Sequence, residues 1–440
     1  MLFCYEIICN SNQKHRRINI MNHRAETLVI GAGAVGICCA FYLYKLGKHV
    51  AVVEKGNICA GSSYGNAGLI VPSHSIPLAA PGVISQGLKW MFDPASPFYI
   101  KPRFQSALFS WLWKFRGACN RQHVHRSIPI LRDLSLASLD LFDELATIEG
   151  RGFGFEKNGV LELFNTAKGF DHGVENARLM QQHKLQNQLI QKDELKKYIG
   201  DMRTTAIGGV YFPQDAQLIP DRFVHQLAGH IEKKGVHLHT SVEVLGFETD
   251  GREVTAVKTT RGDIAVKEVI LAGGTWSSEI ARDLQLKIWI EPAKGYSVTF
   301  NRPATYPQTP LNFAEAKVLS TPMDDTLRFS GTLELAGFNE SINLRRVQAI
   351  LKAVRKYFPD MDPDSLELLE IWRGLRPCSP DGLPYLGRAP RYDNVIIATG
   401  HGMLGISLAP VTGKIVSQLS ANEKPAVNIE ALSIERFNRI

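Results

Sequence analysis

The stretch Thr27–Gly36, TLVIGAGAVG, constrains the fold of this chain more than any other. Thr27–Ile30 is a short apolar run suited to a buried parallel strand. Gly31, Gly33 and Gly36 follow at G-x-G-x-x-G spacing, with Ala34 and Val35 between the last two. The next segment, ICCAFYLYKLGK, is apolar nearly all round and reads as a buried helix that stops at Gly47. HVAVVE then reads as a second strand, closed by Glu54, 21 residues after Gly33.

Each part has a physical reason. Gly31 permits the tight strand-to-helix turn. The missing Cβ of Gly33 lets a pyrophosphate approach the backbone, and Gly36 lets the helix pack on the strands. The helix N-terminus offers free N–H groups and a partial positive charge to phosphates. Glu54 can accept from both ribose hydroxyls of an adenosine, which argues against a 2′-phosphate and hence against NADP. Strand, glycines, helix, strand and terminal acid together read as a dinucleotide site, but they do not separate NAD from FAD.

Length and composition set outer bounds. The 440 residues are 45% hydrophobic and 21% charged, as in a globular protein of two or three domains. A formal charge of +7 permits an anionic cofactor, substrate or membrane surface. No block of arginine or lysine demands nucleic acid. Seven scattered cysteines without a CxxC pair, and histidines without HExxH, point to neither a disulfide framework nor a metal site. A reducing, cytoplasmic setting is the expectation. The apolar run near the N-terminus is broken by Glu6, and its basic cluster, Lys14–Arg17, follows it. That order does not suit secretion. Residues 1–24 are expected to be a loose tail, with Met21 as an alternative start. No run of 18 apolar residues offers a membrane span.

The segment after Glu54 separates the cofactors. KGNICAGSSYGNAGLIVPSHSIPLAAPG, from Lys55, is a loop rich in Gly, Ser, Asn and Ala, where an NAD enzyme continues with another βα unit. Such a loop can bring amides and hydroxyls to a second phosphate and a ribityl chain. Here the sequence resembles the D-amino-acid dehydrogenase family, within the glycine oxidase, sarcosine oxidase and D-amino-acid oxidase group of flavoproteins. The resemblance places Ser62, Ser63, Asn66, Ala67 and Gly68 along an FAD. It continues in order through Ala80–Gly82 and Leu88–Phe92, then a helix and strand leading to Val242, which meets the adenine in the family. EVILAGGTWSSEIARDL, with Gly273 and Trp276, is similar to a family element beside the cofactor. PAKGYSV, FSGTLELAGF and the C-terminal WRGLRPCSPDGLPYLG and NVIIATGHGMLG complete the match, which spans about residues 27 to 420.

The resemblance implies an α/β protein with a discontinuous Rossmann-like FAD-binding domain and a mixed α+β substrate domain. Residues 25–75, 200–288 and 372–440 are assigned to the first, and 76–199 and 289–371 to the second. The implied reaction moves a hydride from the α-carbon of a D-amino acid to flavin N5. Water then turns the imino acid into a 2-oxo acid and ammonia. The electrons pass to a carrier such as a quinone.

Such a site needs an anchor for the substrate carboxylate. The resemblance makes Arg376, in GLRP, the first candidate, since glycine-oxidase-like relatives hold the carboxylate from this motif, and a guanidinium makes two parallel bonds to a carboxylate; Arg373 competes for the role. Gly400, Gly402, Met403, Leu404 and Gly405 form a strand-to-helix loop expected under the flavin, where amides could face N1 and C2=O. A plain turn is the alternative. His401 is either mechanistic or a packed residue beside the cofactor, and Tyr296 either lines the substrate pocket or packs the core. A covalent flavin link at Cys378 has no support beyond its position in the sequence.

Residues 88–116 hold nine aromatic residues, with Lys89, Lys101, Arg103, Lys114 and Arg116 against one acid, Asp93. That pattern suits the headgroup zone of an anionic bilayer, and hence a protein peripheral to the inner face of the membrane. The bland reading is a substrate-domain core with a basic outer face. Competing functional readings are an oxidoreductase of D-proline, hydroxyproline, sarcosine or glycine, the flavin module of an RNA-modifying protein, and a flavin-binding subunit without activity of its own. The chain shows neither the basic channel nor the attached methyltransferase domain that the RNA-modifying reading favours.

Overall fold

In the computed structural model, residues 24–90, 96–148 and 152–437 are described. The expected tail lies outside them except for Arg24, which opens the first strand, Arg24–Ile30. That strand, apolar on both faces, sits at the centre of an eight-stranded sheet. Its parallel neighbours are Val50–Glu54 and Ile264–Leu271, flanked in turn by His237–Thr240 and Val395–Thr399, also parallel. Glu253–Thr259 and Val244–Asp250 extend one side as antiparallel strands, and Tyr385–Arg388 pairs antiparallel with Val395–Thr399.

The glycine turn leads into helix Ala34–Lys45, whose residues are buried almost without interruption, as the all-round apolar sequence requires. It packs against helices Ala409–Ser420 and Pro220–Lys233. The first contact is close because position 413 is glycine: a Cβ there would stand 2.5 Å from the Cys38 carbonyl.

The second sheet has nine strands. Leu368–Cys378, Glu291–Asn301, Thr326–Leu335, Val318–Met323, Leu311–Phe313, Val160–Phe164, Gly208–Phe212 and Gln188–Gln191 succeed one another across it. Phe98–Ile100 joins Thr326–Leu335 in parallel. Alternation divides its faces. Val298, Phe300, Phe313, Phe329 and Tyr296 join Val347, Ile350 and Val354 of helix Leu344–Tyr357 in an apolar core. Ser297, Thr299, Arg328 and Ser330 belong to the alternate register positions.

Hydrogen bonding crosses two of the expected domain limits. Gly208–Phe212, grouped on sequence with 200–288, pairs with Val160–Phe164 in the second sheet. Leu368–Cys378, split by the limit at 372, pairs along its length with Glu291–Asn301. Motif positions mark neither change, because strand membership is set by the partner backbone.

Candidate active site

A cavity of about 1700 Å³ lies where the two sheets meet, larger than the roughly 300–1,000 Å³ of a common small-molecule pocket. Its wall includes Gly31, Gly33, Ala34, Val35, Glu54 and Lys55. Gly31 adopts φ +108°, and a Cβ there would lie 2.6 Å from the Ala272 carbonyl oxygen. A Cβ on Gly36 would collide with the Gly31 carbonyl at 1.8 Å, so helix and turn approach as closely as the motif predicts. A Cβ on Gly33 would meet Ser63 Oγ at 3.1 Å.

Glu54 is held by two amides. Its Oε2 accepts from Ala32 N–H and its Oε1 from Gly56 N–H, each at 2.9 Å. A carboxylate has about four acceptor positions, so capacity remains for hydroxyls in the cavity. The Glu54 carbonyl also accepts from Val242 N–H, at 2.9 Å, which fixes Val242 beside this edge. The ammonium of Lys55 stands 3.6 Å from the ring centroid of Trp276, both in the cavity wall.

The loop after Glu54 folds back on the helix N-terminus. Ser63 Oγ accepts from Ala34 N–H at 2.9 Å. Asn66 ties the loop to itself: Nδ2 donates to the carbonyls of Ser62 and Ser63, and Oδ1 accepts from Gly68 N–H. Gly68 adopts φ +66°, and a Cβ there would meet the Leu218 carbonyl at 2.2 Å. The second sheet clamps this loop, with Arg328 donating to the Asn66 carbonyl and Thr321 to the Ala67 carbonyl. The sequence gives no sign of Arg328 here, because its partner in this loop, Asn66, lies 262 residues away in the chain.

On the opposite wall, Thr275, beside Gly273, donates to the Leu375 carbonyl, and Ser277 donates to Thr399. These bonds join the Gly-Gly turn to strand Leu368–Cys378 and to the end of the strand that leads into the C-terminal loop. Gly400 and Gly402 adopt φ +75° and +54°. Two of the amides expected to face the flavin are already spent: Gly402 N–H donates to the Pro377 carbonyl and Leu404 N–H to the His401 carbonyl. Met403 is exposed and, with Gly405, borders the cavity.

Arg376 and Arg373 part company. Arg373 is occupied, with Nε on the Glu340 carbonyl at 2.9 Å and an Nη on its carboxylate at 2.8 Å. Arg376 lies in the cavity wall and donates to the Thr332 carbonyl at 2.8 Å, with no carboxylate among the described residues in ion-pair contact. Burial lowers its pKa, and the Cys378 thiol partly offsets that. The guanidinium lies over Gly295, where a Cβ would stand 2.2 Å from its nitrogen. A buried unpaired cation is costly, so this place favours an anion.

Two further candidates border the cavity but spend their polar atoms inside the protein. Tyr296 donates to Glu334 Oε2 at 2.8 Å, and its ring belongs to the apolar core. His401 shares a hydrogen bond between Nε2 and Thr412 Oγ1, at 2.9 Å, and burial lowers its pKa to about 4. It is neutral near pH 7 and suits packing better than proton transfer. Burial pushes the Cys378 thiol up to about 12, away from the reactive thiolate. Trp372, which sequence reasoning did not single out, spreads over Gly65 and Gly374; a Cβ on either would meet its ring at 2.3 Å or less. The glycine two residues after it was the available signal.

A mixed sheet carrying a glycine turn and terminal acid, roofed by a second sheet that puts a guanidinium in the cavity wall, has the form of a dinucleotide-dependent oxidoreductase. Residues 26–419 match the family described as FAD dependent oxidoreductase, and the chain belongs to that family. It is 32% identical over 420 residues to a D-amino acid dehydrogenase of Paramagnetospirillum magneticum, covering 94% of this chain and 99% of that one. With the Helicobacter pylori D-amino acid dehydrogenase it shares 31% identity over 408 residues, covering 92% and 97%. Among solved structures, glycine oxidase from Geobacillus kaustophilus shares the fold at TM-score 0.77 and 23% identity, covering 94% of this chain and 99% of that one. L-proline dehydrogenase from P. horikoshii shares it at TM-score 0.75 and 21%, covering 95% and 99%.

FAD is the cofactor of this family, and the residues present fit it. The turn leaves room at Gly33, the first-turn amides of the helix are available beyond the one taken by Ser63, and Glu54 keeps acceptor capacity at the strand end.

Proposed function

We propose that this protein oxidises D-amino acids to 2-oxo acids and ammonia, and that Arg376 holds the substrate carboxylate. The unpaired guanidinium of Arg376 in the cavity wall is the observation that supports this reading most directly. FAD, when bound, supplies the two-electron oxidation of the α-carbon–nitrogen bond. The protein's part is position. Gly295 leaves space for the guanidinium, and the Thr332 carbonyl fixes its orientation, so the carboxylate is held in one plane. No protein nucleophile is required.

The proposed division of labour gives the eight-stranded sheet the cofactor and the nine-stranded sheet the substrate. Electrons leave to a carrier, a quinone in this reading, rather than to oxygen. The exposed aromatic and basic residues of the segment 88–116 are the proposed contact with a membrane surface. No helix among the described residues is long and apolar enough to cross a membrane.

Anaerobic addition of D-alanine to the yellow protein should bleach the flavin, whereas L-alanine should not. Admitting oxygen should restore the colour slowly, and an added quinone quickly. Equal bleaching by both enantiomers would overturn the site assignment. Rapid recovery in oxygen alone would make the protein an oxidase.

A further inference from the structure

The cavity continues beyond Arg376 along one cross-strand row of the second sheet. Trp372 pairs with Ser297, Ser297 with Ser330, Ser330 with Leu319, Leu319 with Asn312, and Asn312 with Glu162. Residues in register share a face, and Arg376 shares it too, four positions along the strand from Trp372. Trp372, Ser330, Leu319, Asn312 and Glu162 all line the cavity. Between its ends, Ser297 Oγ and Ser330 Oγ are buried without a hydrogen-bond partner. This face is therefore polar, with a cation near one end and a carboxylate at the other.

Glu162 is held by a side-chain amide. Asn312 Nδ2 donates to its Oε1 at 3.1 Å, and no cation among the described residues forms an ion pair with it. Burial raises its pKa, Lys317, also in the cavity wall, lowers it, and Glu315 raises it, so a cationic group arriving beside it would favour its ionised form.

Relying on the reading of Arg376 as the carboxylate anchor, we propose that Glu162 selects substrates whose side chain ends in a cation, with Asn312 positioning its carboxylate. Distance supports the pairing. The Arg376 guanidinium bonds to the strand at Thr332, and Glu162 lies three strands further on and two residues along, about 16 Å at the usual spacings. An extended lysine spans roughly 7–8 Å from carboxylate carbon to ammonium. An ionic hydrogen bond of roughly 3 Å at each end, with the reach of the two protein groups, closes the gap. Alanine is too short to touch Glu162, and norleucine has the length without the charge.

The test uses the FAD-loaded full chain and its Glu162→Gln variant. D-lysine should exceed D-norleucine in kcat/KM, and Glu162→Gln should cut that preference by roughly 10- to 100-fold, as for loss of a charged hydrogen bond. D-alanine turnover should be unchanged. Calorimetry with 6-aminohexanoate and hexanoate, which carry no α-amine, reads the same preference without turnover. Failure of every D-amino acid to bleach flavin would overturn the proposed reaction, while tighter binding of 6-aminohexanoate, lost in Glu162→Gln, would still support the role of Glu162. Equal handling of the charged and apolar members of each pair by the wild type would overturn the proposal. So would parallel loss of D-alanine and D-lysine turnover in Glu162→Gln, which would mark a structural role.

Discussion

At the scale of single residues, Arg376 and His401 make opposite predictions. Truncating a buried, charge-paired arginine costs about 2–5 kcal/mol, so Arg376→Ala should lower kcat/KM by roughly 30-fold to several thousand-fold while flavin stays bound. Arg373→Ala should cost far less, because that guanidinium already serves Glu340. Steady-state kinetics on both variants checks the assignment, and the reverse ranking would refute it. His401 should show itself in stability. Its folded pKa, about 4, lies below the ordinary 6.5, so the unfolded chain takes up a proton that the folded state refuses. Its contribution is present above pH 6.5 and is lost as pH falls from there to about 4, worth about 3 kcal/mol in full. His401→Gln should therefore flatten the fall in Tm between those limits relative to wild type. Both residues were visible in the sequence as motif members. Which of the two arginines is free was not, because the answer lies with Glu340, far from the motif.

At the scale of elements, the aromatic segment divides between the two readings of its sequence. In helix Ser106–Ala118, Trp111 and Phe115 are buried and stacked, with Trp111 Nε1 donating to the Cys378 carbonyl. The same helix leaves Phe109 and Trp113 exposed, and Phe104 just before it is fully exposed. Lys101 and Arg116 are also exposed, whereas Arg103 is paired with Glu291 and Lys114 stands 4.8 Å from the Trp289 ring centroid. One helix thus supplies core on one side and an apolar, basic strip on the other. The strip should bind vesicles containing anionic lipid and release them at high salt. Phe109→Ser/Trp113→Ser should abolish flotation without loss of activity on a soluble acceptor; undiminished flotation would leave the strip without a role. Elements with a clear period were legible from sequence, as were the turn and the loop beyond Glu54. Strand Gly208–Phe212 was not, since its two glycines carry no apolar alternation and its place is set by pairing.

For the whole molecule, the cavity is the joint between the two sheets. Its wall draws on the glycine turn, the Ser62–Gly68 loop, the Gly273–Trp276 turn, the Leu368–Cys378 strand and the C-terminal loop. These pieces span most of the chain, which explains why the cofactor fingerprint was legible locally and the substrate face was not. A ligand that fills such a joint stabilises the folded state in proportion to the logarithm of its excess, about 2.7 kcal/mol at a hundredfold excess over Kd. Adding FAD to apoprotein should therefore raise Tm progressively with concentration. Gly33→Val should break that link. Its Cβ would already press on Ser63 Oγ at 3.1 Å, and its branched methyls would take the space of the pyrophosphate. The variant should be isolated colourless, with the Tm of wild-type apoprotein and no response to added FAD. A yellow Gly33→Val protein with a wild-type Tm would show that the turn does not carry the cofactor. A colourless one that cannot fold even as apoprotein would instead make Gly33 a requirement of the loop packing around Ser63.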